Sequence, residues 1–248
     1  MPRTICIANQ KGGVGKTTTA INLARGLAMG GEQTLLVDMD PQCNATSGLG
    51  HKPVTRHPLL QRHSITDAAI QTRLSNLRIL PGSRAFQDID VLANQKETQS
   101  NQVAEHLRNG IAAFDYVIVD CPPSLGTLTR TALAASSEIL MPIQCEYFAM
   151  EGLTQMIEVV RQLMRSRPGT LHFGGILLTM YEHSLELTAE VDQQVREFFG
   201  EIVFDTVIPR DVAVSESPSH GVSVLDYSPR SQGSRAYIEL CMEVLERD

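Results

Sequence analysis

Residues 9–19 read Asn-Gln-Lys-Gly-Gly-Val-Gly-Lys-Thr-Thr-Thr, directly after the apolar run Ile5-Cys6-Ile7-Ala8. A glycine-rich loop between a strand and a helix suits one ligand class, the phosphate chain of a nucleotide. Backbone N–H groups converging from the loop and the helix N-terminus would hold the anion. Gly12, Gly13 and Gly15 let the backbone approach closely and take positive φ where needed. Val14 and Thr18 complete the segment that wraps the phosphates. Lys16 would reach the β- and γ-phosphates, and the Thr17 hydroxyl would ligate Mg²⁺. Gln10 stands where the usual pattern has its first glycine, and Lys11 adds a second lysine five residues before Lys16.

Two acidic segments supply what such a site needs. Leu35-Leu36-Val37-Asp38-Met39-Asp40-Pro41-Gln42 reads as a buried strand ending in two carboxylates. Tyr116-Val117-Ile118-Val119-Asp120-Cys121-Pro122-Pro123-Ser124 reads as another, ending in one carboxylate and a rigid Pro-Pro turn. A carboxylate at a strand's carboxyl end beside the loop partners Mg²⁺ directly or through water, and Asp120 best fits that role. Asp40 would orient or deprotonate the attacking water.

The elements that must position these groups alternate along the chain. Apolar, β-rich runs occur at Thr4–Ala8, Thr34–Val37, Leu77–Leu80, Tyr116–Val119, Ile139–Ile143, Gly175–Leu178 and Ile202–Val207. Helical stretches lie between and after them, at Lys16–Met29, Thr98–Ala113, Thr127–Ala135, Met150–Arg165, Leu187–Phe199 and Gln232–Glu246. Strands that are apolar without alternation are buried on both faces, hence parallel. The expected fold is α/β, a doubly wound and mostly parallel sheet flanked by helices, with the ligand beyond the strands' carboxyl ends. His51 to His63, polar and carrying Pro53 and Pro58, reads as a surface excursion.

The 248 residues fit one domain, 1–248, and 42% hydrophobic content is enough for a sizeable core. A net charge of −7 does not advertise nucleic-acid binding by the protein as a whole. No apolar stretch long enough for a membrane span and no signal peptide is evident, so a cytoplasmic location is expected. The scattered cysteines 6, 43, 121, 145 and 241 form no C-x-x-C pair, and Cys6, Cys121 and Cys145 read as small buried hydrophobes.

Lys11–Thr19, Leu35–Thr46, Tyr116–Leu125, Pro142–Leu153 and Ile208–Ser219 together resemble segments of the ParA/MinD family of deviant Walker A ATPases, of the P-loop NTPase type. The likeness is to the small chromosomal, Soj-like ParA proteins, and it covers nearly the whole chain. It implies ATP and Mg²⁺ as cofactors, slow and partner-stimulated hydrolysis, and an ATP-dependent homodimer with two nucleotides at its interface. Carried over, Lys11 would cross to the partner's nucleotide while Lys16 and Thr17 serve their own. Asp40 would assist the water and Asp120 the metal, Gly12 would allow the two loops to approach, and Pro209 and Arg210 would flank the adenine.

The resemblance also implies a ParB-like or other activating protein, with chromosome or plasmid partitioning or cargo positioning as output. A MinD-like membrane output needs a basic amphipathic tail, whereas residues 239–248 are acidic. Non-specific DNA binding of the Soj kind uses surface arginines to neutralise phosphates. Here Ser184 and Ala213 stand where such arginines are expected. The remaining basic candidates in the carboxyl-terminal half are Arg161, Arg165, Arg167, Arg196, Arg230 and Arg235. DNA binding is therefore expected to be weak or moved to another patch, with nucleoid association only if it is retained. The alternative is a nucleotide-gated factor that docks to a protein scaffold and positions a non-DNA cargo.

Overall fold

The computed structural model describes residues 2–86, 97–146, 149–166 and 171–247. Among these, eight strands form one sheet in the order β3-β4-β2-β5-β1-β6-β7-β8. They are β1 (Arg3–Ile7), β2 (Thr34–Asp38), β3 (Ile70–Gln71), β4 (Leu77–Leu80), β5 (Tyr116–Asp120), β6 (Glu138–Gln144), β7 (His172–Tyr181) and β8 (Val203–Pro209). Every pairing is parallel except β3 with β4. The longer helices are α1 (Lys16–Met29), α5 (Glu97–Gly110), α6 (Thr127–Ala135), α7 (Ala149–Ser166), α8 (Glu186–Phe199) and α11 (Gln232–Glu246). Five short ones intervene: α2 (Asn44–Gly48), α3 (Pro58–Gln61), α4 (Ile65–Ala68), α9 (Val212–Glu216) and α10 (Val224–Tyr227).

The two faces of the sheet bury separate cores, as the period-2 alternation of strand side chains requires. Ile5, Ile7, Leu36 and Ile118 pack with Leu23 and Leu27 of α1 and with Tyr237 and Leu240 of α11. Cys6, Leu35, Val37, Val117 and Val119 pack on the other face with Leu107, Leu128 and Leu133. Each fully buried leucine contributes about 1.5–3 kcal/mol relative to leaving it in water. All five cysteines are buried and free, in keeping with their reading as small hydrophobes.

Register does the positioning. Ile7 pairs with Asp120, and Asp120 pairs with Asp38 on its other side. The start of the phosphate loop and two carboxylates therefore stand in one row at the carboxyl end of the central strands. The chain leaves β1 toward β2 on one side, and β5 crosses to β6 on the other. The ligand crevice of a doubly wound sheet opens at such a reversal.

Several expectations need correction. The segment His51–His63 is not wholly superficial: His57 and Leu59 are fully buried, and the His57 ring lies 4.3 Å from that of Phe86. His57 Nδ1 accepts the Leu59 N–H at 3.2 Å and caps α3, a local role its polar setting concealed. Strand β7 runs well beyond Gly175–Leu178, whereas Ile202 sits in a 3₁₀ turn before β8. The antiparallel β3 is only two exposed residues, too short for an apolar pattern to betray it. Arg167, Tyr147 and Phe148 lie outside the described residues.

Candidate nucleotide site

The loop after β1 rises into α1 through Gly13 at φ 77° and Gly15 at φ 86°, backbone that β-carbons disfavour. Gly15 caps α1 with no side-chain hydrogen bond. The first-turn N–H groups, which lack intrahelical acceptors, are thus open to an anion. Neighbouring strands hold the loop from beneath. Asn9 Nδ2 donates to the Pro142 carbonyl at 2.7 Å, while its Oδ1 accepts the Lys11 N–H at 3.0 Å. The Thr179 hydroxyl stands 3.0 Å from both the Val14 and Ile143 carbonyls.

A cavity of about 290 Å³ opens over the loop, lined by Gly12, Gly13, Gly15, Lys16, Thr17, Thr18 and Asp40 together with Gln42, Asn44, Pro123 and Met180. Lys16 is buried, and its Nζ donates to the Lys11 carbonyl at 2.8 Å. Burial lowers its pKa, and the charges of Asp120 and Asp40 oppose that shift. Asp40 is buried too: desolvation raises its carboxyl, while the Gln42 N–H, at 2.8 Å from Oδ1, and Lys16 pull it down.

Asp120 is fully buried, and among the described residues neither carboxylate oxygen has a hydrogen-bond partner. Burial holds its carboxyl far above the usual range and the Asp38 charge adds to this. The Thr17 hydroxyl pulls the other way without completing a hydrogen bond by geometry. A buried carboxylate with no donor, behind the Thr17 side chain that lines the cavity, fits a hydrated Mg²⁺ held there. The residues present therefore suit the metal that the loop implies.

Asp38 has a different job. Its Oδ2 accepts the Thr46 N–H at 2.8 Å and the Thr46 hydroxyl at 2.6 Å, and its Oδ1 the Asp40 N–H at 3.2 Å. Thr46 Oγ1 in turn accepts the Gly82 N–H at 2.8 Å. Desolvation pushes the Asp38 carboxyl up to about 6 against these donors. The network joins the ends of β2 and β4 to α2, the helix that begins at Asn44 on the cavity wall.

The structure gathers most of the expected residues and sets others apart. Lys11, Asp120, Pro209 and Arg210 do not line the cavity, and the Val14 side chain is buried beneath the loop. Lys11 Nζ instead lies 2.5 Å from Glu146 Oε2. Arg210 is at the end of β8, donating its N–H to the Tyr181 carbonyl and pairing with Glu182 at 2.6 Å. Sequence reasoning missed Gln42, Asn44 and Met180 as wall residues, and Asn9, Thr179 and Glu146 as loop partners. Met180 adopts φ 51°, a rare state for its residue type that no local pattern announces.

Ser184 is exposed and Ala213 half-buried, while Arg161, Arg165, Arg230 and Arg235 are exposed. Arg196 is bound to Asp192 at 2.6 Å and faces Asp205 at 3.8 Å. A larger cavity of about 1090 Å³ lies at the strands' amino ends. Its charges largely pair off, Arg3 with Glu138 and Arg247 with Glu243. No helix among the described residues is long and apolar enough to cross a membrane.

A family model described as an AAA domain matches residues 2–172. The chain is 41% identical to the chromosome-partitioning ATPase Soj of Treponema pallidum, covering 100% of this chain and 99% of that protein. It is 42% identical to the chromosome partitioning protein ParA of Caulobacter vibrioides, over 99% of this chain and 95% of the relative. Among solved structures, cobyrinic acid a,c-diamide synthase from Mycobacterium smegmatis with bound ADP and magnesium superposes with a TM-score of 0.84 at 30% identity, covering 99% and 95% of the two chains. A phosphate loop with an added lysine, carboxylates aligned on its sheet edge and full-length identity of this degree lead to one conclusion: the chain belongs to the Soj/ParA family of ATPases.

Proposed function

We propose that residues 1–248 act as one ATPase domain and as an ATP-gated dimeric switch in chromosome or plasmid partitioning or cargo positioning. The reaction is ATP + H₂O to ADP + phosphate. The observation that carries the dimer is the place of Lys11, whose ammonium is outside the cavity that its own loop builds. A cation set there has a useful target across an interface. Gly12 supports the same reading: a β-carbon on it would meet only Pro123 Cβ, at 4.0 Å. Nothing among the described residues of its own chain demands glycine there, which leaves room for close approach from outside.

Phosphoryl transfer depends on positioning and charge stabilisation. The N–H groups of Gly13 to Thr18 and the Lys16 ammonium cradle the phosphates. Thr17 and, directly or through water, Asp120 hold Mg²⁺, which neutralises charge on the β- and γ-phosphates when bound. Asp40 orients the attacking water or takes its proton. Lys11 of the partner protomer adds positive charge at the transferring phosphate, so hydrolysis depends on dimerisation. Pro209 and Arg210 flank the adenine once Arg210 leaves Glu182. A ParB-like or other activating protein sets the rate, and the protein works in the cytoplasm.

A second reading, a nucleotide-gated factor docked to a protein scaffold with a non-DNA cargo, is favoured by the basic groups. Ser184 and Ala213 carry no charge, and Arg196 and Arg210 are neutralised by acids. In this reading nucleoid association is lost.

Steady-state hydrolysis and sedimentation of Asp40→Ala and Lys16→Ala test the assignment. Asp40→Ala should bind ATP and dimerise while losing about 10²-fold or more in turnover. Lys16→Ala should fail to bind productively. Parental turnover by Asp40→Ala would remove Asp40 from the water-activating role.

A further inference from the structure

The cation proposed to cross between protomers is held within its own chain. Lys11 Nζ lies 2.5 Å from Glu146 Oε2, and the two side chains are 39% and 45% exposed. Both backbones are moored near the end of β6. Asn9 ties the Lys11 N–H to the Pro142 carbonyl strand, and the Glu146 N–H donates to the Gln144 carbonyl at 2.8 Å. The ammonium and the carboxylate therefore meet at the cost of little beyond their own rotamers. Lys16 also rests on a protein oxygen, the Lys11 carbonyl. In this state both lysines of the loop are satisfied by their own protomer. Among the described residues, Lys11 is the one hydrogen-bond and ion-pair partner of the Glu146 carboxylate.

We infer that Glu146 is a latch that holds Lys11 in cis and opposes ATP-driven dimerisation until a triphosphate outbids it. The inference rests on the proposed trans role of Lys11. A carboxylate carries one negative charge, whereas the triphosphate of a partner's ATP concentrates several, so the exchange favours release toward ATP. A partner holding ADP offers one phosphate fewer and leaves Lys11 on Glu146. The latch thereby sharpens the nucleotide dependence of pairing: it raises the threshold for both forms, but only ATP exceeds it. Two latches open for each dimer formed. At the modest strength of half-exposed ion pairs, losing both tightens the dimer by about fivefold.

The test uses the full chain, with Glu146→Ala and Glu146→Gln beside the parent, all checked for equal thermal unfolding. First, the reactivity of the Lys11 amine toward an acetylating reagent is read by mass spectrometry in the nucleotide-free protein. It should rise about twofold in Glu146→Ala, the effect of a single latch. Second, sedimentation with Mg²⁺ and a non-hydrolysable ATP analogue should give a dimer dissociation constant about fivefold lower for Glu146→Ala, with a smaller gain for Glu146→Gln, which still accepts a hydrogen bond. With ADP, Glu146→Ala should show more dimer than the parent. Unchanged Lys11 reactivity would overturn the contact, and an unchanged or weaker dimer despite raised reactivity would overturn its gating role. Lys11→Ala separates the two ideas: if it dimerises and hydrolyses like the parent, the trans role fails whatever Glu146 does.

Discussion

Thr46→Val would remove one oxygen from the junction between β2, α2 and the loop after β4, at nearly constant volume. Thr46 is fully buried, and its hydroxyl both donates to Asp38 Oδ2 at 2.6 Å and accepts from the Gly82 N–H at 2.8 Å. The first loss is a hydrogen bond to a charged group, about 1.5–3 kcal/mol, and the second orphans a buried N–H, about 1–3 kcal/mol. No cavity forms, so the expected cost is about 3–5 kcal/mol at pH 8, a fall of about 10 °C or more in melting temperature for a chain of this size. Urea titration followed by circular dichroism measures it, with an unchanged m-value marking a native-state effect. The pH dependence has a definite sign. Asp38, pushed up to about 6, contributes stability that is fully present below the unfolded carboxylate value near 4 and is lost as pH rises through 6. The variant lacks one of the bonds that lower this pKa, so its deficit should be larger at pH 8 than at pH 5. Thr46→Ser keeps the oxygen and should recover most of the loss. If Thr46→Val stayed within about 1 kcal/mol of the parent at pH 8, or if serine fared no better, the argument from the hydroxyl would be refuted.

Two other outcomes are expected. A β-carbon at Gly26 would lie 2.3 Å from Cys241 Sγ, so Gly26→Ala should lose about 1–2 kcal/mol despite alanine's better helix propensity, and Cys241→Ala should relieve it in the double variant by urea titration. Ser184→Arg places one new charge at an exposed position of each protomer; in the ATP-loaded dimer it should steepen the slope of log K against log salt for duplex DNA by about 2, and an unchanged slope would mean that this position faces no phosphate.

Much of the fold could be read because burial on both faces leaves an unbroken apolar signature. Leu35–Val37 and Tyr116–Val119 carry no polar interruption, and both lie in the sheet centre. The phosphate loop was equally legible, since Gly13 and Gly15 need φ values that their residue type announces. His57 was not legible: a histidine between prolines looks solvated until Phe86, 29 residues on, packs against it. Glu146 and Thr179 were missed for a related reason. Their partners, Lys11 and Val14, lie 135 and 165 residues away, and nothing local marks the meeting.

What the sequence by itself determined is the chemistry on offer: a glycine loop for phosphate, lysines to neutralise it, a threonine and carboxylates for a metal and a water. Those identities are local, because backbone freedom and side-chain charge belong to each residue wherever it lies. Only the tertiary structure decided which groups share a space. Register set Asp38 and Asp120 side by side, burial left Asp120 without a donor and Asp38 with three, and the end of β6 brought Glu146 against Lys11. These are properties of distance and desolvation, which arise when strands far apart in the chain pack into one edge.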